Sequence, residues 1–516
     1  MKEDAHVQST NFKRPFIIFS LLCILLGILI LKITQIYTVS SNGVQEYSLK
    51  LKPYKPDKYE LTTDYSLHTE FEEMIPFYVY KSPHLNWYQA CSEHFSNNSK
   101  NSEFLQYKHS TSIHFLQSLH NHPWRVIDPE KAKLFVLPFL LGLLRLKKTC
   151  NRKSLSRFKK SAVLALKTDP VAKKYWNRNN GIDHVMVDTD FRIEKHDDSL
   201  KALAERRTYN LAKALRIKFK KSGRKGVFSG SDKSLLDFSA YFENMTIGHH
   251  VRQPIMDLTF GAWKYFKNNR NKWGCTVLVP MFERLIHKDT KLTVESFLKR
   301  PIDLFFMGQW DSKKGYAVRR FLNDEFSKPG WDHINYIYAT HIYDENDESL
   351  PFCDFNLCLK SLKCQLHCKI TTEQKFNTNL YSKLIGMSKF ALEMSGDNAG
   401  STRYFDAPNS GSIPIFLTDL AFTDGLPFVG KVAWRDFSYF LPVGPLEKND
   451  DTEQKVNLLR EIKEIVELGR KQDQSVIKKF KSLIYYRDQL SWSRNATLVS
   501  KNFFDEAWHR CVKPFL

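Results

Sequence analysis

Acidic residues are in deficit. The chain of 516 residues carries 56 Asp and Glu against 77 Lys and Arg, for a formal net charge of +21 at pH 7. That imbalance points to an anionic ligand, a membrane surface or nucleic acid, without choosing among them. No internal repeat is present, which argues against a solenoid or a propeller. Long apolar runs are nearly absent. The exception is Pro15 to Leu31, PFIIFSLLCILLGILIL, with no formal charge. Cysteines number nine, and the four between 353 and 368 do not form C-x2-C pairs, which weakens a zinc reading. What is plentiful is core-forming material. Hydrophobic residues make up 42% and aromatics 14%, which excludes a disordered chain, and the length suggests two domains.

The apolar run is long for a cleavable signal peptide, whose h-region spans about 7–15 residues, and no small-x-small site follows it at once. It has the length of a short membrane span. Lys13 and Arg14 precede it and Lys32 follows, a weak bias toward a cytoplasmic N-terminus. The expected organisation is a cytoplasmic tail over 1–14, a transmembrane signal anchor over 15–33, and a polar stem over 34–70. The body then lies in a lumen. Outside the run the cysteines are even in number: Cys91, Cys150, Cys275, Cys353, Cys358, Cys364, Cys368 and Cys511. In CDFNLCLKSLKCQLHC, residues 353–368, the spacings are x4, x5 and x3. A zinc site with His367 competes there with local disulfides, and an oxidising lumen favours disulfides. Sequons at Asn97, Asn244 and Asn495 are compatible with lumenal glycosylation.

Along the body, strand-like and helical patterns alternate, which predicts an α/β protein. FYVYKSP, in residues 77–83, reads as an opening strand. A helical pattern spans 103–119, a turn falls at Asp128-Pro129, and LFVLPF reads as a buried strand. The basic stretch 200–226 reads as a helix with a solvated face. CTVLVP (275–280), DLFFMG (303–308) and SIPIFL (412–417) are short apolar runs, as buried parallel strands are. Helices are expected over 452–468, with Leu459, Ile462 and Val466 on one face, and over 474–486, with Val476, Phe480 and Leu483. The division that follows is two lobes, 71–270 and 271–450, with C-terminal helices over 451–516 that pack back on the body.

One stretch combines glycines with charge: SGDNAGSTRYFDAPNSGSIPIFL, residues 395–417. A strand over 388–394 leads into Ser395, Gly396 and Asp397, where glycine lets backbone N–H groups approach a ligand. Ser401 and Thr402 can cap a helix that starts near Thr402. Arg403 falls in its first turn, where the helix dipole disfavours a cation, and a cation tolerated there often has a partner. A diphosphate is one candidate. Asp406 falls on the same helical face and could accept hydrogen bonds from ribose. An Arg403–Asp406 surface pair is the competing reading. The stretch holds neither a Walker lysine motif nor G-x-G-x-x-G.

In chain order these stretches resemble the exostosin-like glycosyltransferase family. RVIDPEKAKLFVLPF is similar to its R-T-x-D-P-x-x-A-x-x-F-x-V-P-F element, and YWNRNNGIDHVMV (175–187) to its P-Y-W-N-R-x-x-G-x-D-H motif. RPIDLFFMGQW with Arg319 and Leu322 resembles the F-x-G and R-x-x-L segment. SKFALEMSGDNAGSTRYFDAPNSGSIPIFLTD is similar to the S-x-F-C-L-x-P-x-G-x-x-x-x-S-x-R-x-x-E-A-x-x-x-G-C-I-P-V signature, continued by LPFVGKVAWRDFSYFLP. Asp406 stands where the family has glutamate, and Ser412 where it often has cysteine. Pro408 makes the intervening helix short or kinked.

The resemblance implies a GT-B fold, two Rossmann-like lobes facing a cleft, behind an N-terminal transmembrane helix. It implies an inverting transfer from a nucleotide sugar, normally a UDP-sugar, to a glycan or glycoconjugate acceptor, in the Golgi or the endoplasmic reticulum. A divalent metal is not expected to be essential, and no D-x-D motif is clearly placed at a strand end. Donor contacts carry over to Gly308, Arg319, Ser395, Gly396, Asp397, Ser401, Arg403 and Asp406. Arg319 and Arg403 are the phosphate contacts. Asp190 and His184 are the candidates for the acceptor base, with a structural histidine as the competing reading of His184 and His249 or His250 as a third choice. The family's later His-Asp pair ends here as Thr189-Asp190. That departure keeps a second class open, a non-catalytic partner or chaperone of another transferase. A basic glycan-binding protein is a third. Nucleic acid is not an expected partner behind a membrane anchor, and homo- or hetero-oligomer formation is left open.

Overall fold

The computed structural model describes residues 73–92, 110–142, 144, 149–150, 153–188, 245–249, 275–283, 292–309, 317–342, 349–370, 378–394, 401–417, 425–441, 443 and 452–516. The tail, apolar run and stem (1–70) and the basic stretch 200–226 lie outside them. Among the described residues no helix is long and apolar enough to cross a membrane.

Two all-parallel sheets organise the body, as alternating strand and helix patterns require. The first is built from β1 (Phe77–Val79), β2 (Arg125–Val126), β3 (Leu134–Val136), β4 (His184–Val187), β5 (Thr246–His249) and β6 (Cys275–Leu278). Its order is β2-β1-β3-β4-β5-β6. The sequence division at 270/271 cuts this sheet. Cys275–Leu278 pairs with β5, with Thr246 opposite Cys275 and His249 opposite Leu278. An apolar run signals a strand but does not say which sheet receives it.

The second sheet holds β7 (Ile302–Gln309), β8 (Tyr336–Ile342), β9 (Cys364–Lys369), β10 (Ser388–Met394), β11 (Ile413–Leu417) and β12 (Tyr439–Phe440). Its order is β9-β8-β7-β10-β11-β12, the doubly wound order of a dinucleotide-binding sheet. Every residue of β10 and β11 is buried, as a central parallel strand covered on both faces demands. Leu304 stands opposite Tyr336 on one side and Phe390 on the other. The chain leaves β7 toward β8 and β9, then returns to the other side of β7 with β10. The direction of winding therefore reverses between β7 and β10.

The helices that frame these sheets are α1 (Thr111–Ser118), α2 (Leu155–Thr168), α3 (Pro170–Arg178), α4 (Ala317–Phe326), α5 (Thr378–Gly386), α6 (Arg403–Ser410), α7 (Thr452–Arg470), α8 (Gln474–Tyr486) and α9 (Trp492–Glu506). Starts follow the local chemistry. Asp169 caps α3 by accepting Ala172 N–H at 2.9 Å, with Pro170 in the first turn. The C-terminal helices divide between the sheets. Gly469 of α7 packs so tightly on Phe390 of β10 that a Cβ would stand 2.4 Å from its ring. Phe480 of α8 stacks on Phe297 at 4.3 Å. Helix α9 crosses to the first sheet, where Phe504 stacks on Phe77 at 4.1 Å. Gly248 of β5 leaves the space that Phe503 occupies. Buried Glu283 ties this crossing down by accepting Ser491 Oγ at 2.6 Å and Ser493 N–H at 2.7 Å.

Four disulfides join Cys91–Cys150, Cys275–Cys511, Cys353–Cys368 and Cys358–Cys364. The last two nest within the 353–368 cluster, which resolves the zinc alternative in favour of local disulfides. They clamp residues 353–363 along β9, the outer strand of the second sheet, and so cover an otherwise open edge.

Candidate functional site

Ligands of doubly wound sheets bind beyond the carboxyl ends of the strands, where the winding reverses. In the second sheet that place lies past Gln309 of β7 and Met394 of β10. Each strand feeds a helix, and each helix returns an arginine from its first turn: Arg319 from α4 and Arg403 from α6. The two guanidinium groups meet at one atom, the Met394 carbonyl oxygen. Arg319 Nη2 donates to it at 3.4 Å and Arg403 Nη2 at 3.3 Å. Arg319 Nη1 also donates to the Gln309 carbonyl. Both guanidinium carbons stand 5.5 Å from the Phe306 ring centroid, a cation–π arrangement that keeps them flat on the strand. Arg319 is 2% exposed, and its own carbonyl accepts the Tyr338 hydroxyl at 2.7 Å. Arg403 is half-buried.

Gly308 explains how Arg403 reaches this place. A Cβ at 308 would lie 3.2 Å from Arg403 Nη1 and 2.8 Å from Phe306 Cζ. The glycine of F-x-G is thus a gap for the guanidinium. Gly308, Arg319 and Arg403 come together as one group.

The rest of the predicted cradle divides. Ser401 lies beside the pair, with its Oγ accepting Arg403 N–H at 3.3 Å. Thr402 is the N-cap residue of α6 but makes no side-chain cap bond. Asp406 is 1% exposed and accepts Tyr381 Oη at 3.4 Å. It is buried in the lobe, which removes the surface-pair reading with Arg403. Ser395, Gly396 and Asp397 lie outside the described residues. Helix α6 spans 8 residues with Pro408 inside it. It ends at Gly411, whose φ of 74° is left-handed and whose missing Cβ leaves room for Leu292 and Arg300 Nη2.

Two groups, Glu393 and Arg300, escaped the sequence reading. Glu393 is 1% exposed on β10, next to Met394, and its Oε2 has no hydrogen-bond partner. Burial lifts its carboxyl well above the usual range; Arg403 pulls it back, Asp406 adds to the rise, and Arg319 opposes it. The signal was an acid inside the otherwise apolar run FALEM. Arg300 lies under the sheet, donating to the carbonyls of Ser388 at 2.7 Å, Gly411 at 2.8 Å and Ser410 at 2.7 Å. Burial brings it down to about 10. Ser412, where the family often has cysteine, uses its hydroxyl on the Ile385 carbonyl at 2.7 Å.

On the first sheet the acceptor-side candidates separate. His184 is 0% exposed and has both ring nitrogens engaged, with Tyr80 Oη at 2.9 Å and Asp183 Oδ1 at 2.8 Å. Asp183 in turn accepts Arg178 Nη2 at 2.7 Å and Asn179 Nδ2 at 2.6 Å. Burial pushes the imidazole down against the pull of Asp183. Its enclosure at the start of β4 favours the structural reading of His184 over the base assignment. His249 is buried at the carboxyl end of β5. Asp190 and His250 lie outside the described residues. A correction concerns D-x-D. Strand β4 ends at Val187, so Asp188, the first residue of the D-T-D sequence, directly follows a strand, while Thr189 lies with Asp190 outside the described residues. Asp188 is buried and its Oδ2 accepts Gly142 N–H at 3.0 Å. Of the sequons, only Asn495 is described. It is exposed, with Oδ1 accepting Leu498 N–H at 3.0 Å. Among the described residues no group of three or more His, Cys, Asp or Glu could hold a metal.

Solved structures share the fold only distantly. WaaG, a glycosyltransferase involved in lipopolysaccharide biosynthesis, is 13% identical over 52% of this chain and 66% of its own, with a TM-score of 0.30. Sucrose-phosphate synthase from Thermosynechococcus elongatus is 13% identical over 75% and 81%, with a TM-score of 0.29. A UDP-forming α,α-trehalose-phosphate synthase from Burkholderia xenovorans is 9% identical over 52% and 62%, with a TM-score of 0.29. The chain spans 61–64% of the length of the trehalose-phosphate synthases it matches. At such scores the fold rests on the two sheets themselves. The family model of the Exostosin GT47 domain matches residues 72–226 and 237–456. That span covers both sheets and the arginine pair, and the chain belongs to the Exostosin GT47 family of glycosyltransferases.

Proposed function

We propose that the protein is an inverting glycosyltransferase of GT-B organisation that moves a sugar from a UDP-sugar to a glycan or glycoconjugate acceptor. The observation that carries this reading is the convergence of Arg319 and Arg403 on the Met394 carbonyl, at the switch point of a doubly wound sheet. Two guanidinium groups there suit a diphosphate, which they can bind through paired N–H donors. Asp406, or the Ser395-Gly396-Asp397 loop, would hold the nucleoside. In the transfer, a base removes the acceptor hydroxyl proton. The acceptor oxygen bonds to the anomeric carbon as the bond from that carbon to the phosphate oxygen breaks. The leaving diphosphate gains charge, which the arginines offset. Asp190, three residues past the end of β4, is the proposed base.

The apolar run over 15–31, the paired cysteines and the exposed Asn495 sequon support a type II protein with its body in the Golgi lumen. Purified protein offered a panel of UDP- and GDP-sugars should show thermal stabilisation and donor hydrolysis. Absence of any nucleotide-sugar binding at millimolar donor would overturn the reading. Transfer should persist after dialysis against a chelator; loss of activity restored by Mn2+ would overturn the metal-independent reading.

A second reading, a non-catalytic partner of another transferase, is favoured by two observations. Thr189 replaces the family histidine, and His184 has no open ring nitrogen. It requires donor binding without turnover, so measured transfer by the isolated protein eliminates it.

A further inference from the structure

Glu393 is a buried acid that the transfer scheme above does not use. It is 1% exposed, and its Oε2 meets no donor. One residue on, the Met394 carbonyl takes N–H groups from both arginines. Arg403 Nε is likewise buried without a partner. Arg403 therefore directs its side-chain hydrogen bond to a backbone carbonyl and lies over an aromatic ring, while Glu393 Oε2 is left without a donor. The charged groups that act on Glu393 are Arg403 and Asp406 from α6 and Arg319 from α4. Two of these neighbours are held by phenols: Asp406 accepts Tyr381 Oη from α5, and the Arg319 carbonyl accepts Tyr338 Oη from β8.

An ionised carboxylate in such a place lacks the donors that would replace its water, so the neutral form is favoured. We propose that Glu393 sets the strength with which the arginine pair holds an anion: protonated, it leaves both positive charges to the ligand, and ionised, it competes for them. This rests on the reading of the pair as the diphosphate site. Glu393 acts through the arginines and touches no reacting atom, so it is a positioning residue. The sign follows from linkage. An anion at the pair favours the protonated form of Glu393, so binding takes up a proton. Affinity then falls as pH rises through the titration of Glu393, by at most about tenfold per pH unit for one proton.

The test is calorimetric binding of inorganic pyrophosphate and of UDP to the full chain in detergent, between about pH 5.5 and 8.5. Wild type, Glu393→Gln and Glu393→Asp are compared. Protonation of the ligand itself is common to all three, so the ratio between variants isolates Glu393. Relative to wild type, Glu393→Gln should match it at the acid end and gain progressively in pyrophosphate affinity as pH rises, to roughly threefold or more at the alkaline end, while Glu393→Asp keeps a pH-dependent affinity. Parallel profiles for wild type and Glu393→Gln would overturn the proposal and leave the diphosphate site standing. No binding by wild type at any pH would overturn both. Asp406→Asn gives an independent reading. It removes the charge that favours protonation of Glu393, so the fall in pyrophosphate affinity should begin at lower pH. An unmoved onset counts against Glu393.

Discussion

Gly308 and Arg403 are shaped to each other: a Cβ at position 308 would stand 3.2 Å from the arginine Nη1. It would also stand 2.8 Å from Phe306 Cζ, the edge of the ring on which the guanidinium rests. Gly308→Ala must therefore push Arg403 or Phe306 aside. The expected result is a roughly tenfold loss of UDP affinity, the equivalent of about one charge-assisted hydrogen bond, with the protein still folded. Calorimetry with UDP and a thermal melt of the same sample check it. Unchanged affinity would mean that Arg403 does not depend on this gap.

The two arginines should differ in what they cost when removed. Arg403 is half-buried and spends one bond on the Met394 carbonyl. Arg403→Ala should weaken UDP binding by roughly 1.5–3 kcal/mol with little change in melting temperature. Arg403→Lys should recover only part, because a single ammonium cannot reproduce the planar fork. Arg319 is 2% exposed and engages carbonyls on both β7 and β10. Arg319→Ala should lower both donor affinity and melting temperature. Equal stability losses in the two alanine variants would contradict this division.

The strands were legible because burial on both faces leaves a mostly apolar run, as in DLFFMG and SIPIFL. Capping and turn residues such as Asp128-Pro129 were legible because their bonds are local. Sheet membership was not. CTVLVP closes the first sheet, and nothing in six residues says which edge will receive them. Arg403 could be singled out because a cation in a first helical turn conflicts with the dipole. Its balance lay elsewhere: a backbone carbonyl and an aromatic face. His184 was read in both directions because the motif around it gives residue types but not depth, and depth makes it structural.

His184→Gln should accordingly damage the fold more than the chemistry. The histidine is fully enclosed, with Tyr80 and Asp183 on its two nitrogens and Phe135 stacked at 5.2 Å. A glutamine cannot satisfy both partners in the ring's place. A loss of roughly 1–3 kcal/mol in stability is expected, with donor turnover per folded molecule retained. Chemical denaturation and single-turnover transfer on the folded fraction separate the two effects. A fall of a hundredfold or more in turnover at unchanged stability would return His184 to the catalytic machinery.

Acid should unfold the protein partly through buried histidines. Burial pushes His122, packed against Phe77 and Phe504, down to about 4, and also lowers His184. The same side chains in the unfolded chain titrate near about 6.5. Below that pH the unfolded state takes up protons that the native state refuses. Stability is therefore full above about pH 6.5 and declines as pH falls toward 4. Melting temperature measured across this interval should drop, and His122→Gln should show a shallower slope than wild type. An identical slope would assign the acid sensitivity to other groups.

The Cys275–Cys511 disulfide is the covalent counterpart of the α9 crossing. It closes a loop with a sequence separation of 236 residues and joins the last strand of the first sheet to the end of the chain. Everything in the second sheet lies within that loop. By the chain-entropy account such a link restricts the unfolded state by roughly 5 kcal/mol, and measured losses are often smaller. The Cys275→Ser/Cys511→Ser double variant should therefore lower stability substantially more than Cys358→Ser/Cys364→Ser, whose loop spans a separation of 6 residues. The apolar seat of α9, with Phe503 in the space left by Gly248, should keep the native arrangement populated at moderate temperature. Melting curves of both double variants under non-reducing conditions decide it. If the short-loop variant loses as much stability as the long-loop one, the 353–368 clamp on β9 supports the fold through native contacts rather than through chain entropy.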